Sequence, residues 1–118
     1  MTVTPLRIVV ALLAIATALI HFSLLIFLGG FDLPFVMNGV GYLALTFAYL
    51  TDVPLGANRR PLLHLLFIGY TGITFLAWVA IGEKNPATLL GAIGYTDKII
   101  EVLLIVALVF SLRQEGNR

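Results

Sequence analysis

The chain has 118 residues, of which 60% are hydrophobic and 11% charged, with a formal net charge of +1 at pH 7 and no cysteine. Charge this sparse and balanced excludes a nucleic-acid partner, because no basic stripe is present to follow a phosphate backbone. The missing thiols exclude disulfides, thiolate-held metals, iron–sulfur clusters and cysteine nucleophiles.

Four apolar stretches make up nearly all of the sequence. The first runs from about Leu6 to Leu28; Thr4-Pro5 opens it as a hydroxyl cap with proline at the first helical position, and Gly29-Gly30 closes it. Arg7, an apolar run and then Ala16-Thr17-Ala18 imitate a cleavable leader, but the run continues to Leu28, so an uncleaved helix is expected. The second stretch starts after Asp32, has Pro34 in its first turn and stops near Asp52-Val53-Pro54. A loop from Leu55 to Asn58 leads to Arg59-Arg60, where Pro61 opens the third stretch, which ends at Gly82-Glu83-Lys84. Asn85-Pro86 is a further cap-plus-proline start. Either Ala87 to Leu90 form a short turn before Gly91, or one long helix runs from Pro86 to about Leu112.

Read as helices over about 5–28, 34–52, 60–82 and 93–113, each segment has about 20 residues, enough at about 1.5 Å per residue to cross a hydrocarbon core of about 30 Å. Short connections force successive helices to alternate in direction. The expectation is one all-α integral membrane domain, an antiparallel four-transmembrane-helix bundle in a lipid bilayer. Arg7, Arg59, Arg60, Arg113 and Arg118 fall on one side and Lys84 and Lys98 toward the other, which places both termini in the cytoplasm. Sliding the chain so that Gly29 falls on Gly82 also brings Arg7 onto Arg60 and Val40-Gly41-Tyr42 onto Ile93-Gly94-Tyr95, a faint internal repeat of parallel type.

Polar side chains within the apolar runs are the candidates for chemistry, because hydrocarbon penalises them. Counted from Arg113, Glu101 lies about 18 Å, Lys98 about 22 Å and Asp97 about 24 Å from the inner boundary. The same count puts His21 and Asn38 about 21 Å deep, with Tyr42, Tyr70 and Thr17 about 15 Å deep. A polar cluster of His21, Asn38, Tyr42, Tyr70, Lys98 and Glu101 is therefore expected in the outer half of the membrane, serving as a ligand or proton site or as helix-locking glue. Lys98 and Glu101 are spaced to pair on one face, and the like charges of Asp97 and Glu101 need a cation between them that Lys98 supplies. Lys98 and Asp97 have the alternative of reaching to the outer interface.

Two histidines raise the question of haem. His64 stands about 6 Å above Arg60, so the imidazoles differ by about 15 Å in depth, which argues against an intramolecular bis-His haem; no cofactor is assigned. His64 instead reads as an inner-interface residue in a basic trio with Arg59 and Arg60, level with anionic headgroups. A metal would have to draw on His21, Asp97 and Glu101 alone, and none is assigned. The segments from Gly41 to Phe47 and from Gly69 to Phe75 share a Gly-Tyr-x-x-aliphatic-Thr-Phe pattern and read as matching packing faces, with Gly39, Gly72, Gly91 and Gly94 adding further small positions. Trp78 is placed near the outer interface.

No phosphate-cradling loop, His-Glu-x-x-His or Gly-x-Ser-x-Gly is present. The leading expectation is a non-enzymatic accessory or assembly subunit of a larger membrane complex, energy-converting complexes included, with other membrane subunits as partners. The alternative is a homo-oligomeric binding or transport protein for a proton, ion, quinone or lipid headgroup. In size and layout the chain resembles the small four-span prokaryotic membrane proteins, the DoxX-like group among them. That resemblance is one of general plan: it implies a prokaryotic cytoplasmic membrane and no particular functional residue.

Overall fold

The computed structural model describes residues 4–27, 33–51, 59–81 and 84–116. Four helices account for almost all of them: α1 Pro5–Phe27, α2 Leu33–Thr51, α3 Arg60–Ile81 and α4 Leu89–Gly116. Thr4 caps α1 as its position implies, its hydroxyl accepting the Arg7 N–H at 3.2 Å and its carbonyl the Ile8 N–H at 3.1 Å. The stops expected at Gly29-Gly30, Asp52-Val53-Pro54 and Gly82-Glu83 lie outside the described residues.

The fourth helix departs most from expectation, beginning at Leu89 and ending at Gly116 rather than spanning 93–113. Its start is a compact turn: the Asn85 side-chain oxygen accepts the Ala87 N–H at 3.0 Å, and the Asn85 carbonyl accepts the Thr88 N–H at 3.1 Å. Thr88 is the cap, its hydroxyl accepting the Gly91 N–H at 3.0 Å. Gly91 sits in the first turn of α4, where a Cβ would fall 2.7 Å from the Asn85 carbonyl carbon, so the turn folds back only onto glycine. At the other end α4 continues past Arg113 because Glu115 is gripped by residues of the neighbouring helices.

Successive helices run antiparallel in a ring. Arg7 at the start of α1 meets Glu115 at the end of α4, His21 near the end of α1 meets Asn38 near the start of α2, and Arg60 at the start of α3 meets the Tyr49 carbonyl near the end of α2. The bundle measures 46 × 23 × 23 Å. Val10, Ala14, Ala18, Phe67, Leu104 and Leu108 form its middle.

The tightest packing surrounds α1, whose buried Ala11, Ala14 and Ala18 let α2 and α4 approach. The two glycine patterns meet where Gly41 and Tyr42 of α2 pack on Tyr70 of α3, although α2 and α3 share the thinnest seam. A Cβ added at Gly69 or Gly72 would meet nothing within 4 Å beyond its own stretch of helix, while Gly41 lies under the Tyr70 ring tip, where a Cβ would stand 2.6 Å from Cζ. Overpacking costs about 1–3 kcal/mol. Gly41→Ala is therefore expected to lower the thermal unfolding temperature of the purified protein, and Gly69→Ala is expected not to.

Burial is inverted relative to a water-soluble domain. Arg7, Arg60, His21, His64, Asp97, Lys98 and Glu101 are buried, while Leu12, Leu19, Phe47, Leu65, Leu76 and Ile99 are exposed; Glu101 is 0% and Ile73 71% accessible. Two stretches, Pro5–Ser23 and Arg60–Ala80, are long and apolar enough to cross a membrane by length and composition, whereas the apolar stretch of α2, Val36–Thr51, is shorter. In α4 the apolar run is interrupted by Asp97, Lys98 and Glu101.

Candidate functional site

Two buried ionic clusters occupy opposite ends of the bundle. The first is organised by α4, where Asp97 and Glu101 lie one turn apart on the inward face with Lys98 beside them. The Lys98 ammonium donates to Glu101 Oε1 and lies 3.2 Å from Asp97 Oδ2. The other oxygen of each carboxylate is taken by a hydroxyl: Tyr42 of α2 donates to Glu101 Oε2 at 2.8 Å, and Thr17 of α1 donates to Asp97 Oδ1.

His21 completes this group from α1. Its Nδ1 lies 2.7 Å from the Thr17 carbonyl, which only accepts, so this nitrogen carries the hydrogen and Nε2 presents a lone pair. Nε2 stands 3.3 Å from Asn38 Nδ2 and 3.9 Å from Asp97 Oδ2. Asn38 Oδ1 accepts from the Thr74 hydroxyl at 3.3 Å, and the Asn38 carbonyl accepts from Tyr70 at 2.8 Å. The Tyr70 ring meets Tyr42 edge-on at 4.9 Å.

All six residues singled out from depth, His21, Asn38, Tyr42, Tyr70, Lys98 and Glu101, thus belong to one hydrogen-bonded assembly. Thr17 and Asp97 join them. Asp97 and Lys98 do not extend to the outer edge; both are buried, turned inward by the partners just named. Trp78 roofs the cluster, its ring 5.0 Å from that of Tyr95, with the Lys98 and Lys84 ammonium groups 6.0 and 5.2 Å from its centre. With both carboxylates ionised, Lys98 leaves the cluster one negative charge in excess.

The second cluster is absent from the sequence reading. Glu115 near the end of α4 accepts from Arg60 Nε, from Arg7 Nη2 at 3.1 Å and from the Ser111 hydroxyl at 3.0 Å, and His64 Nε2 lies 3.2 Å from it. Arg60 Nη1 donates to the Tyr49 carbonyl at 2.8 Å, and the Arg60 guanidinium lies 5.0 Å from the Tyr49 ring centre. The Tyr49 and Ser111 hydroxyls are 2.6 Å apart. Glu115 therefore ties the starts of α1 and α3 to the end of α4, and α2 joins through the bonds of Tyr49 to Arg60 and Ser111.

The interfacial basic trio is corrected accordingly. Arg59 is exposed, but Arg60 is buried and His64 is 0% accessible, its Nδ1 held 2.7 Å from the Arg60 carbonyl. The two histidines serve different clusters about 21 Å apart along α4 and do not face one another. The available signal was the alignment of Arg7 with Arg60 in the faint repeat: two parallel helices begin with an arginine at the level where α4 ends.

Glu115 lies beyond Leu112, outside the apolar stretch. Burial pushes its carboxyl up from 4.5, but the Arg60 hydrogen bond, the His64 charge, the Ser111 hydroxyl and the Arg60 charge outweigh that and hold it down at about 2. A carboxyl held below its unfolded value stabilises the fold fully above 4.5 and loses that contribution as pH falls toward 2. The unfolding temperature of the wild type is expected to fall across that window by more than that of Glu115→Gln, which has no carboxyl to protonate.

Comparison with protein-family models, with curated proteins and with solved structures gives no match.

Proposed function

We propose that the protein is a four-span integral membrane protein whose Glu101 cluster binds a proton or small cation, working as a homo-oligomeric binding or transport protein. The observation that carries this is the fully buried Glu101, set with Asp97 and His21 around a single lysine, so that with both carboxylates ionised and His21 neutral one negative charge is left over. Helix locking alone asks for less. Neutral interhelical hydrogen bonds contribute about 0.6 kcal/mol each in membranes, whereas a charged residue at the centre costs about 2.5–3.5 kcal/mol even on insertion scales. A cluster of charges that does not balance is a poor packing device and a reasonable cation site.

The membrane reading is supported by the inverted burial and by a bundle 46 Å long, against about 40–45 Å for a bilayer with its headgroups. On this reading α2 and α4 cross as partners of the two more apolar helices, and their polar groups face inward. The basic residues around Arg7, Arg59, Arg60 and Arg113 put both termini in the cytoplasm of a prokaryotic cell, with the Glu101 cluster in the outer half of the membrane.

Vesicles reconstituted with the protein and given a pH or cation gradient test this reading. Wild-type vesicles are expected to dissipate the gradient faster than empty vesicles, and Glu101→Gln vesicles to match the empty ones while retaining the helical circular dichroism spectrum. Equal rates for all three, with no small molecule retained by native mass spectrometry, would overturn it.

The second reading is a non-enzymatic accessory or assembly subunit of a larger membrane complex. It is favoured by the open face of α3, where Gly69, Gly72, Ile73 and Leu76 leave room for close approach of another membrane helix. Purification from the native membrane in mild detergent is expected to retain partner subunits if this holds, and to give the chain alone if it does not.

A further inference from the structure

Resting on the reading of the Glu101 cluster as a cation site, we propose that His21, Asp97 and Glu101 bind one divalent transition-metal ion, with Lys98 as a tethered ammonium that competes for the same position. The three side chains are buried, and each offers a ligand atom within 4.8 Å of the others. The hydrogen bonds decide which atoms those are. Thr17 holds Asp97 Oδ1 and Tyr42 holds Glu101 Oε2, so Asp97 Oδ2 and Glu101 Oε1 are turned toward one another, and the Lys98 ammonium stands between them. Nε2 of His21 approaches the same oxygen, 3.9 Å from Asp97 Oδ2.

The imidazole is arranged as a metal ligand is usually arranged. Its Nδ1–H is fixed on the Thr17 carbonyl, which sets the ring orientation and makes Nε2, now facing the Asn38 amide at 3.3 Å, the nitrogen that an ion would take from Asn38. One nitrogen and two carboxylate oxygens form a donor set for Mn²⁺, Fe²⁺, Co²⁺ or Zn²⁺ rather than for Ca²⁺ or Mg²⁺, which take oxygen throughout. Ligand bonds of about 2.0–2.2 Å require the three atoms to draw closer than they stand, a movement within reach of side-chain rotation once the ammonium leaves.

Charge gives the reason for exchange. Two ionised carboxylates with one ammonium between them leave a negative charge in a site of low dielectric, while a divalent ion between the same two oxygens neutralises both of them. Lys98 keeps its charge on a tether beside the site, its ammonium 6.0 Å from the Trp78 ring centre, so metal occupancy requires it to move off the two oxygens.

The test is titration of the purified, chelator-stripped full chain in detergent with Co²⁺, followed by its visible spectrum, and with Mn²⁺ and Zn²⁺ by calorimetry. Wild type is expected to bind one equivalent, His21→Asn to bind at least about tenfold more weakly, and Lys98→Met to bind more tightly than wild type because its competitor is gone. Metal is also expected to raise the unfolding temperature of Lys98→Met more than that of wild type. A Lys98→Met protein that folds only when metal is supplied supports the proposal as well. If that variant folds under neither condition, the wild type and His21→Asn decide: equal binding and equal Co²⁺ spectra in the two overturn the metal site, as does Lys98→Met binding no more tightly than wild type. Should no metal bind while Glu101-dependent gradient dissipation persists in vesicles, the metal assignment falls and the cation-site reading stands. Loss of both removes both.

Discussion

Glu115→Ala is expected to destabilise the protein by about 3–5 kcal/mol, the range found when one partner of a buried ion pair is removed. The carboxylate is the common acceptor for Arg7, Arg60 and Ser111 and lies beside His64. Its removal takes from Arg7 and Arg60 the carboxylate that they share, at the point where the ends of the helices are tied. Most of the loss reflects the buried guanidinium charge that Glu115 offsets rather than the strength of any one bond. Glu115→Gln retains an acceptor oxygen and is expected to fall between wild type and alanine. Arg113→Ala, an exposed position two residues earlier, is expected to change little. Thermal unfolding of the three variants in one detergent measures the effect, and a Glu115→Ala protein as stable as Arg113→Ala would dismiss the clasp.

The second large effect is an asymmetry within the other cluster. Lys98→Met is expected to cost about 3–5 kcal/mol, because it leaves Asp97 and Glu101 as two buried like charges a turn apart. Glu101→Gln removes a carboxylate charge, keeps an acceptor oxygen for Lys98 and turns its NH2 to the Tyr42 hydroxyl, which accepts in place of donating; it is expected to cost about 1 kcal/mol. Combining the two returns the cluster to the wild-type net charge and is expected to recover part of the Lys98→Met loss. Glue of a purely geometric kind gives no such difference between the two partners of one bond, so equal single-mutant losses would count against the charge argument.

The Glu101 cluster was legible in the sequence because its members interrupt apolar runs, where depth can be counted residue by residue. Four polar positions on three segments fell at one level, and helices of fixed rise bring one level together. The Glu115 clasp was not legible by that method. Arg7, Arg60 and Glu115 stand at helix ends, where charge is ordinarily solvated and carries no message about burial. Taking Arg113 as the limit of the last helix hid Glu115 further, although Ser111 and Glu115 share a face one turn apart. The glycine patterns were legible in part: Gly39, Gly41 and Gly94 do lie under the rings of Phe22, Tyr70 and Trp78, while the alanines of α1, which read as ordinary filler, let α2 and α4 approach.

Among the described residues of the two clusters, carboxyl groups outnumber the ammonium around Glu101, and guanidinium groups outnumber the carboxyl around Glu115. Between them lies an apolar waist of Val10, Ala14, Phe67, Leu104 and Leu108. In a bilayer with its interior electrically negative, the proposed orientation sets this built-in dipole along the field. An elementary charge moved across the whole potential is worth about 2.3 kcal/mol per 100 mV. The resting voltage of the cell would thus hold the bundle in one insertion sense, and any cation entering the Glu101 cluster from outside would feel that voltage as well.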